Sequence, residues 1–447
     1  MDALLEFNAW LNALVWGPPV LILIVGTGIY LTVCTKFIAF TKLGYILKNT
    51  IFKMFSKETK GEGEVRPFQA LATAVAATVG VGNIAGVATA IALGGPGAIF
   101  WMWVSGVVGM TTKFGEAVLA VQYREKTADG RFVGGPMYYL DRGLGMKWLA
   151  VLFSVFGALA AFGIGNMVQS NTVAKALEAS FGIDRMVTGI LLAIAVAAVI
   201  LGGLKRLAKV TEKLVPFMAV FYIIGALIII LANVGEIPRV LGEIFRTAFT
   251  GTAAVGGFVG ATMMMALRRG IARGVFSNEA GLGSAPIVHA AAVTDHPVRQ
   301  GLWGVFEVFL DTPVICTLTG LVILTTGVWT GGETGVALAI LAFNTLFGVA
   351  GGYFIAIAIL LFAGSTILGW SYYGERCAEH LLGKRVNIPY RILWIPPVVI
   401  GAVGGLAPLW DIADTLNALM AIPNLVGLLL LSGVIIKLTK EFFDRYA

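Results

Sequence analysis

The stretches Thr78-Val79-Gly80-Val81-Gly82-Asn83-Ile84-Ala85-Gly86 and Phe276-Ser277-Asn278-Glu279-Ala280-Gly281-Leu282-Gly283-Ser284-Ala285-Pro286 decide the fold. Each lies in an apolar run long enough for a helix, and each sets close glycines beside polar side chains. Gly costs about 1 kcal/mol relative to Ala in a helix interior, so paired glycines favour unwinding. Unwound backbone at membrane depth survives only where protein, ligand or water supplies hydrogen-bond partners. Half-helix N-termini then attract an anionic group, and freed carbonyls attract a cation. Gly82-x-x-x-Gly86 alone also reads as a helix-packing face. Two such breaks carrying Asn83, Asn278 and Glu279 point instead to one central polar site.

The rest of the chain supplies the membrane. Of its 447 residues 58% are hydrophobic and 13% charged, against about 25% charged in soluble domains. Scanning for runs of about 20 apolar residues predicts about eleven spans, near 14–35, 68–93, 96–122, 148–176, 186–203, 212–233, 253–288, 301–328, 350–380, 389–408 and 412–438. The breaks fall in the first long span of two five-helix blocks, 67–233 and 253–438, preceded by an extra helix within 1–36. An odd number of helices inverts the second block, and paired interruptions in corresponding halves point to a transporter site. The expected fold is an all-α polytopic membrane protein built as a 5+5 inverted repeat.

Charge placement orients it. With the N-terminus outside and the C-terminus cytoplasmic, inside segments carry 24 of the 32 Lys and Arg, as the positive-inside rule requires. Arg268, Arg269 and Arg273 break the rule by falling outside. The segments 238–250 and 335–347 read as helices on the outer surface. The first apolar run lacks a basic flank and a cleavage site, so it reads as a retained helix. The net charge of +7 follows from this topology and calls for no nucleic acid. No obligate protein partner is evident; the expected partners are lipid and a small solute.

Three cysteines (Cys34, Cys316, Cys377) and three histidines (His289, His296, His380) are too scattered for a disulfide framework or a transition-metal centre. No HExxH or GxSxG occurs, and Gly80-x-Gly82 is no dinucleotide fingerprint. The chain is not read as an enzyme, and no resident cofactor is expected.

Several polar residues stand at membrane depth. Ser365 and Thr366 lie near mid-span, where hydroxyls suit a hard cation or bond back to a carbonyl one turn earlier. Glu279 is ionisable and costly there, a functional candidate by default. Glu307 and Asp311 are one turn apart on one face. Asn166 and Gln169 share a face of the fourth span. Trp370, one turn beyond Thr366, floors a small pocket. Lys113 and Glu116 read as a packing ion pair.

Gly80-Val-Gly-Asn-Ile-Ala-Gly, Gly94-Gly-Pro-Gly, Gly134-Gly-Pro-Met-Tyr-Tyr-Leu, Phe276-Ser-Asn-Glu-Ala-Gly-Leu-Gly-Ser-Ala-Pro and Ser365-Thr-Ile-Leu-Gly-Trp-Ser-Tyr-Tyr-Gly-Glu resemble the alanine or glycine:cation symporter family, from about residue 10 onward. The resemblance implies a leucine-transporter-type fold and sodium-coupled, sometimes proton-coupled, import of alanine and glycine through the cell membrane. It places the amides of Gly80 and Gly82 toward the substrate carboxylate. It places the carbonyls of Ala76 and Val79, with the Ser365 and Thr366 hydroxyls, around sodium. Phe276 and Ser277 match the aromatic and hydroxyl before the second break. The substrate set expected is Thr78, Gly80, Gly82, Gln169, Phe276, Ser277, Asn278, Gly281 and Trp370, with Asn83, Glu279 and Asp311 as further cation candidates. Thr78 and Glu279 depart from the wider superfamily pattern, which leaves a second sodium site on Asn83 and Ser277 open. An ion channel also uses broken half-helices, and another cation-coupled small-solute carrier is a further alternative, but two breaks make a substrate cradle rather than a repeated filter ring.

Overall fold

The computed structural model describes residues 2–54, 56, 60–253, 258–404 and 407–446. Among them, eight helices are long and apolar enough to cross a bilayer, nine if a bent pair counts as one span. In chain order the main helices are α1 (Leu5–Cys34), α2 (Pro67–Thr78) and α3 (Gly82–Gly94), which form the bent pair, α4 (Gly97–Gln122), α5 (Lys147–Phe181), α6 (Arg185–Ile200), α7 (Gly203–Ala232) and α8 (Ile237–Thr250). Beyond them come α9 (Met263–Asn278), α10 (Pro286–His289), α11 (Pro297–Thr326), α12 (Gly335–Phe347), α13 (Val349–Leu382), α14 (Lys384–Val403), α15 (Ala407–Leu430) and α16 (Ser432–Tyr446).

The expected span over 253–288 is interrupted where the glycines of the second stretch stand: α9 ends at Asn278, the chain runs irregularly through the glycines, and only the short α10 comes after. The expected span 412–438 is α15 with the separate α16 behind it, whose sequence alternates apolar residues with Lys and Glu. Between α4 and α5 the chain forms a small hairpin, β1 (Glu125–Lys126) with β2 (Phe132–Val133), pairing Glu125 with Val133 and Lys126 with Phe132.

The outer surface is apolar. Ile194, Phe217, Leu231 and Leu393 are each at least 60% exposed, a belt that would be sticky in water and that lipid covers. Inside, helices approach through small residues, as membrane bundles do. Gly106 and Gly109 of α4 face Thr312 of α11 and Ala280. Gly369 brings α13 onto α2: a Cβ there would lie 2.6 Å from the Ala77 Cβ.

The bundle is tied shut at the end that carries Arg124. Its guanidinium donates to the carbonyls of Ala292 at 2.7 Å, Glu62 at 2.8 Å and Ala290 at 3.1 Å. Backbone bonds from Glu64 to Ala291 and from Val293 to Val65, both 2.8 Å, join the approach to α2 to the exit from α10. The hairpin adds Arg131 to Glu379 and Asp129 to Lys384, at 2.7 and 2.8 Å. The opposite end, carrying Arg268, holds an open cavity of ≈ 470 Å³.

The Gly369 contact is testable. Gly369→Val must separate α2 from α13, and overpacking of this kind costs about 1–3 kcal/mol. Thermal unfolding of the purified protein should therefore shift downward. At Gly433 a Cβ would meet no atom within 4 Å, so Gly433→Ala should cause no loss.

Candidate substrate and cation site

The first break begins where α2 meets Val79, whose backbone is extended at φ −77° and ψ 93°. The helix resumes as a π turn over Gly82–Gly86 and leaves at 52° to α2. Released amides find side-chain acceptors. Gly80 N–H donates to Asn83 Oδ1 at 3.0 Å, and Val81 N–H to Gln169 Oε1 at 3.3 Å. A carboxylate reaching the Gly80 amide therefore exchanges with Asn83. Gly80 also cannot bear a side chain, since its Cβ would fall 2.5 Å from Thr366 Oγ1. Thr78 Oγ1 bonds back to the Ala74 carbonyl at 3.1 Å.

The second break turns through left-handed backbone at Glu279 (φ 54°), Gly281 (φ 93°) and Gly283 (φ 82°). Its amides are served by a carboxylate from another helix. Glu116 Oε1 accepts Gly281 N–H at 3.0 Å, Gly283 N–H at 3.2 Å and Asn424 Nδ2 at 2.6 Å. Asn424 also donates to the Gly281 carbonyl at 2.9 Å. The expected Lys113–Glu116 packing pair is thus part of something larger. Lys113 Nζ lies 3.4 Å from Glu307 and 3.9 Å from Glu116, and His289 bridges Glu307 at 2.8 Å. All four side chains are fully buried.

A small cavity lies between the breaks. Its volume of ≈ 20 Å³ is about what one ordered water needs. Its walls include Thr78, Gly80, Gly82, Gln169, Phe276, Glu279, Thr366 and Trp370, all singled out in the sequence. The Phe276 ring lies against Gly82, where a Cβ would sit 3.2 Å from it. Trp370 Nε1 donates to Glu279 Oε1 at 2.8 Å, and Ser284 donates to the other carboxylate oxygen. Ser277, Asn278 and Gly281 lie behind this wall rather than on it. Asn417 of α15 does line it. Its buried Oδ1 has no partner among the described residues. An amide side chain at membrane depth was the available signal.

Two oxygen-rich places flank the cavity. Between α2 and α13, Ser365 Oγ donates to the Ala76 carbonyl at 3.0 Å and to Phe362 at 2.8 Å, while Thr366 Oγ1 donates to Phe362 at 3.1 Å. Across the site, Asp311 sits on a π turn of α11 spanning Leu310–Cys316. Its carboxylate accepts Asn83 Nδ2 at 2.6 Å, Ser277 Oγ at 2.8 Å and Thr312 Oγ1 at 2.7 Å. Asn278 reaches the Thr312 hydroxyl at 3.2 Å. One carboxylate thereby joins both breaks, and each of these donors is neutral.

Two expected shared faces are split by π turns. Glu307 turns to Lys113 and His289 while Asp311 serves the breaks, because the extra residue enters between them. In α5, a π turn over Ala161–Met167 separates Asn166, which donates to the Trp394 carbonyl at 2.8 Å, from Gln169. Arg268, Arg269 and Arg273 line the ≈ 470 Å³ cavity at the open end.

A broken α2–α3 pair and a broken α9–α10 pair meeting at a buried polar cavity define a secondary transporter of the leucine-transporter type. Solved structures agree on that fold. MhsT in complex with L-phenylalanine aligns with TM-score 0.54 at 14% identity, covering 85% of this chain and 99% of that one. The manganese transporter of Eremococcus coleocola, in complex with an aromatic bis-isothiourea substituted compound, aligns at 0.53 and 14%, covering 85% and 82%. The chain belongs to the sodium:alanine symporter family, whose family model matches residues 1–447, and hence to the cation-coupled amino-acid symporters. It is 52% identical over 439 residues to the sodium/alanine symporter AgcS of Methanococcus maripaludis, covering 96% of this chain and 95% of that protein. It is 40% identical over 433 residues to a probable sodium/glutamine symporter, GlnT, of Bacillus subtilis, covering 96% and 89%.

Glu116 offers a direct test. Replacing it with Ala strips the acceptor from two buried amides and leaves Lys113 short of a counter-charge, and breaking one side of a buried pair costs about 3–5 kcal/mol. Glu116→Gln keeps an acceptor oxygen. Thermal unfolding should rank the native protein above the Gln variant and the Gln variant above the Ala variant.

Proposed function

We propose that this chain is a sodium-coupled importer of alanine and glycine that works by alternating access. It sits in the cell membrane with its N-terminus outside and its C-terminus in the cytoplasm. Residues 67–233 and 253–438 act as the two inverted repeats, with the helix in 1–36 added in front. The observation that carries this reading is the ≈ 20 Å³ cavity held between two helix breaks. Sodium is taken by the Ala76 and Val79 carbonyls and the Ser365 and Thr366 hydroxyls. Hydroxyl and carbonyl oxygens suit such a hard cation, and Ser365 already touches Ala76. The Asp311 cluster with Asn83 and Ser277 is the second place for positive charge, since neutral donors surround its carboxylate.

The substrate carboxylate goes to the first break, around Gly80 and Gly82, because Glu116 already holds the amides of the second. The ammonium then faces Glu279. Phe276 and Trp370 close on the side chain, and so small a space favours a methyl or a hydrogen. Support for alanine also comes from the name of the relative from Methanococcus maripaludis. Sodium bound at α2 and α13 holds the broken helix in its binding shape, and the loaded state favours opening at the Arg124 end. A ligand drives such a change only through its differential affinity for the two states.

Radiolabelled alanine uptake into proteoliposomes with an imposed sodium gradient tests this. Accumulation should follow the gradient and collapse without it. Uptake driven by a proton gradient alone would assign the proton as the coupling ion, and uptake indifferent to both would refute symport. Thr366→Ala should raise the half-saturating sodium concentration; an unchanged value removes Thr366 from the ion site.

A further inference from the structure

The face that α7 turns away from the bundle changes character along its length. Positions 206, 209, 213, 217, 220 and 224 recur at steps of three and four, so they share one side of the helix. All six are exposed. The first three are Arg206, Lys209 and Lys213, and the next three are Phe217, Val220 and Ile224. One stripe is therefore cationic at the Arg124 end and apolar beyond it. Where the two halves meet lies an open depression of ≈ 500 Å³, lined by the three cations with Val210, Leu214 and Phe217.

The protein leaves these charges unanswered. At the same end Lys126 pairs with Glu62, Arg131 with Glu379, Lys384 with Asp129 and Arg391 with Glu375, whereas Arg206, Lys209 and Lys213 pair with no carboxylate among the described residues. Glu212, adjacent in sequence, turns away from the stripe and holds Arg66 and Gln69 at the foot of α2. Like charges one turn apart weaken a helix. Arg206 also stands in the first turn, where the helix dipole disfavours a cation. The strained part of α7 is the part that grips α2, since Thr211 shares a hydrogen bond of 3.0 Å with Thr73.

We propose that the α7 stripe binds an anionic phospholipid, with the headgroup phosphate on Arg206, Lys209 and Lys213 and an acyl chain along Phe217, Val220 and Ile224. Basic side chains directly beside a spanning apolar face attract anionic headgroups, and the apolar half of the stripe needs a hydrocarbon cover that a free phosphate lacks. A seated headgroup cancels the repulsion along α7 and steadies its hold on α2, the helix that leads to the first break. The site is independent of which solute or ion the protein carries.

The test follows thermal unfolding of the purified full chain in a neutral detergent, titrated with phosphatidylglycerol, phosphatidylcholine or inorganic phosphate. Phosphatidylglycerol should raise the native midpoint saturably, less so at high salt, and the other two should not. Each cation near the surface contributes about fivefold to the affinity for anionic lipid. Arg206→Gln, Lys209→Gln and Lys213→Gln together should therefore raise the half-saturating concentration about 100-fold. Without phosphatidylglycerol this variant should melt no lower than the native protein, because the repulsion has gone with the charges. Arg206→Lys with Lys209→Arg and Lys213→Arg should keep the native response, which separates charge from folding. Lys36→Gln with Lys48→Gln and Lys53→Gln, which removes three charges from the segment before α2, should keep it too. Equal gains from phosphatidylcholine or from inorganic phosphate overturn the proposal: the first makes the contact merely apolar, the second a free-anion site. A triple Gln variant of α7 that responds like the native protein also overturns it, as does a 36–53 variant that loses the response as fully.

Discussion

A backbone amide inside a membrane must find an acceptor, and this protein breaks two helices where water is scarce. The arrangement of the centre depends on how those amides are satisfied. An unmet amide at that depth costs several kcal/mol, so each break needs a fitted partner. The first receives Asn83 from its own turn and Gln169 from α5. The second receives Glu116 from α4, steadied by Asn424. The two solutions differ in kind. Neutral amide side chains exchange readily with an incoming carboxylate, whereas a carboxylate held beside Lys113 stays in place.

Packing then sets the distances. Gly369 lets α13 touch α2, which puts Ser365 against the Ala76 carbonyl. Gly80 lets the first break touch Thr366. Asp311 fastens Asn83 to Ser277, so movement at either break is felt at the other. The site is therefore mechanically one unit although it is built from at least five helices.

Much of this was legible in the sequence. Glycine pairs with polar neighbours marked both breaks, because helix packing accounts for the glycines but not for the polar residues beside them. Ser365, Thr366, Glu279, Asp311 and Trp370 were visible as polar or aromatic groups at membrane depth. Facing was harder to read. An α-helical period predicts that Glu307 and Asp311 share a face, as do Asn166 and Gln169, but a π turn adds a residue and rotates the helix beyond it. Glu116 was visible as the ion-pair partner of Lys113, which it is, but its further partners, amides more than 160 residues away, were not. Asn417 lacked any neighbour that would distinguish it from a helix-packing amide.

Occupation of the second break by Glu116 makes the two breaks chemically unlike. Two helix breaks facing one cavity could each offer free amides to a carboxylate. With a protein carboxylate resident at one break, only the other is left, on the proposed reading, for the carboxylate of a solute. One acidic side chain thus gives the pair of breaks its polarity.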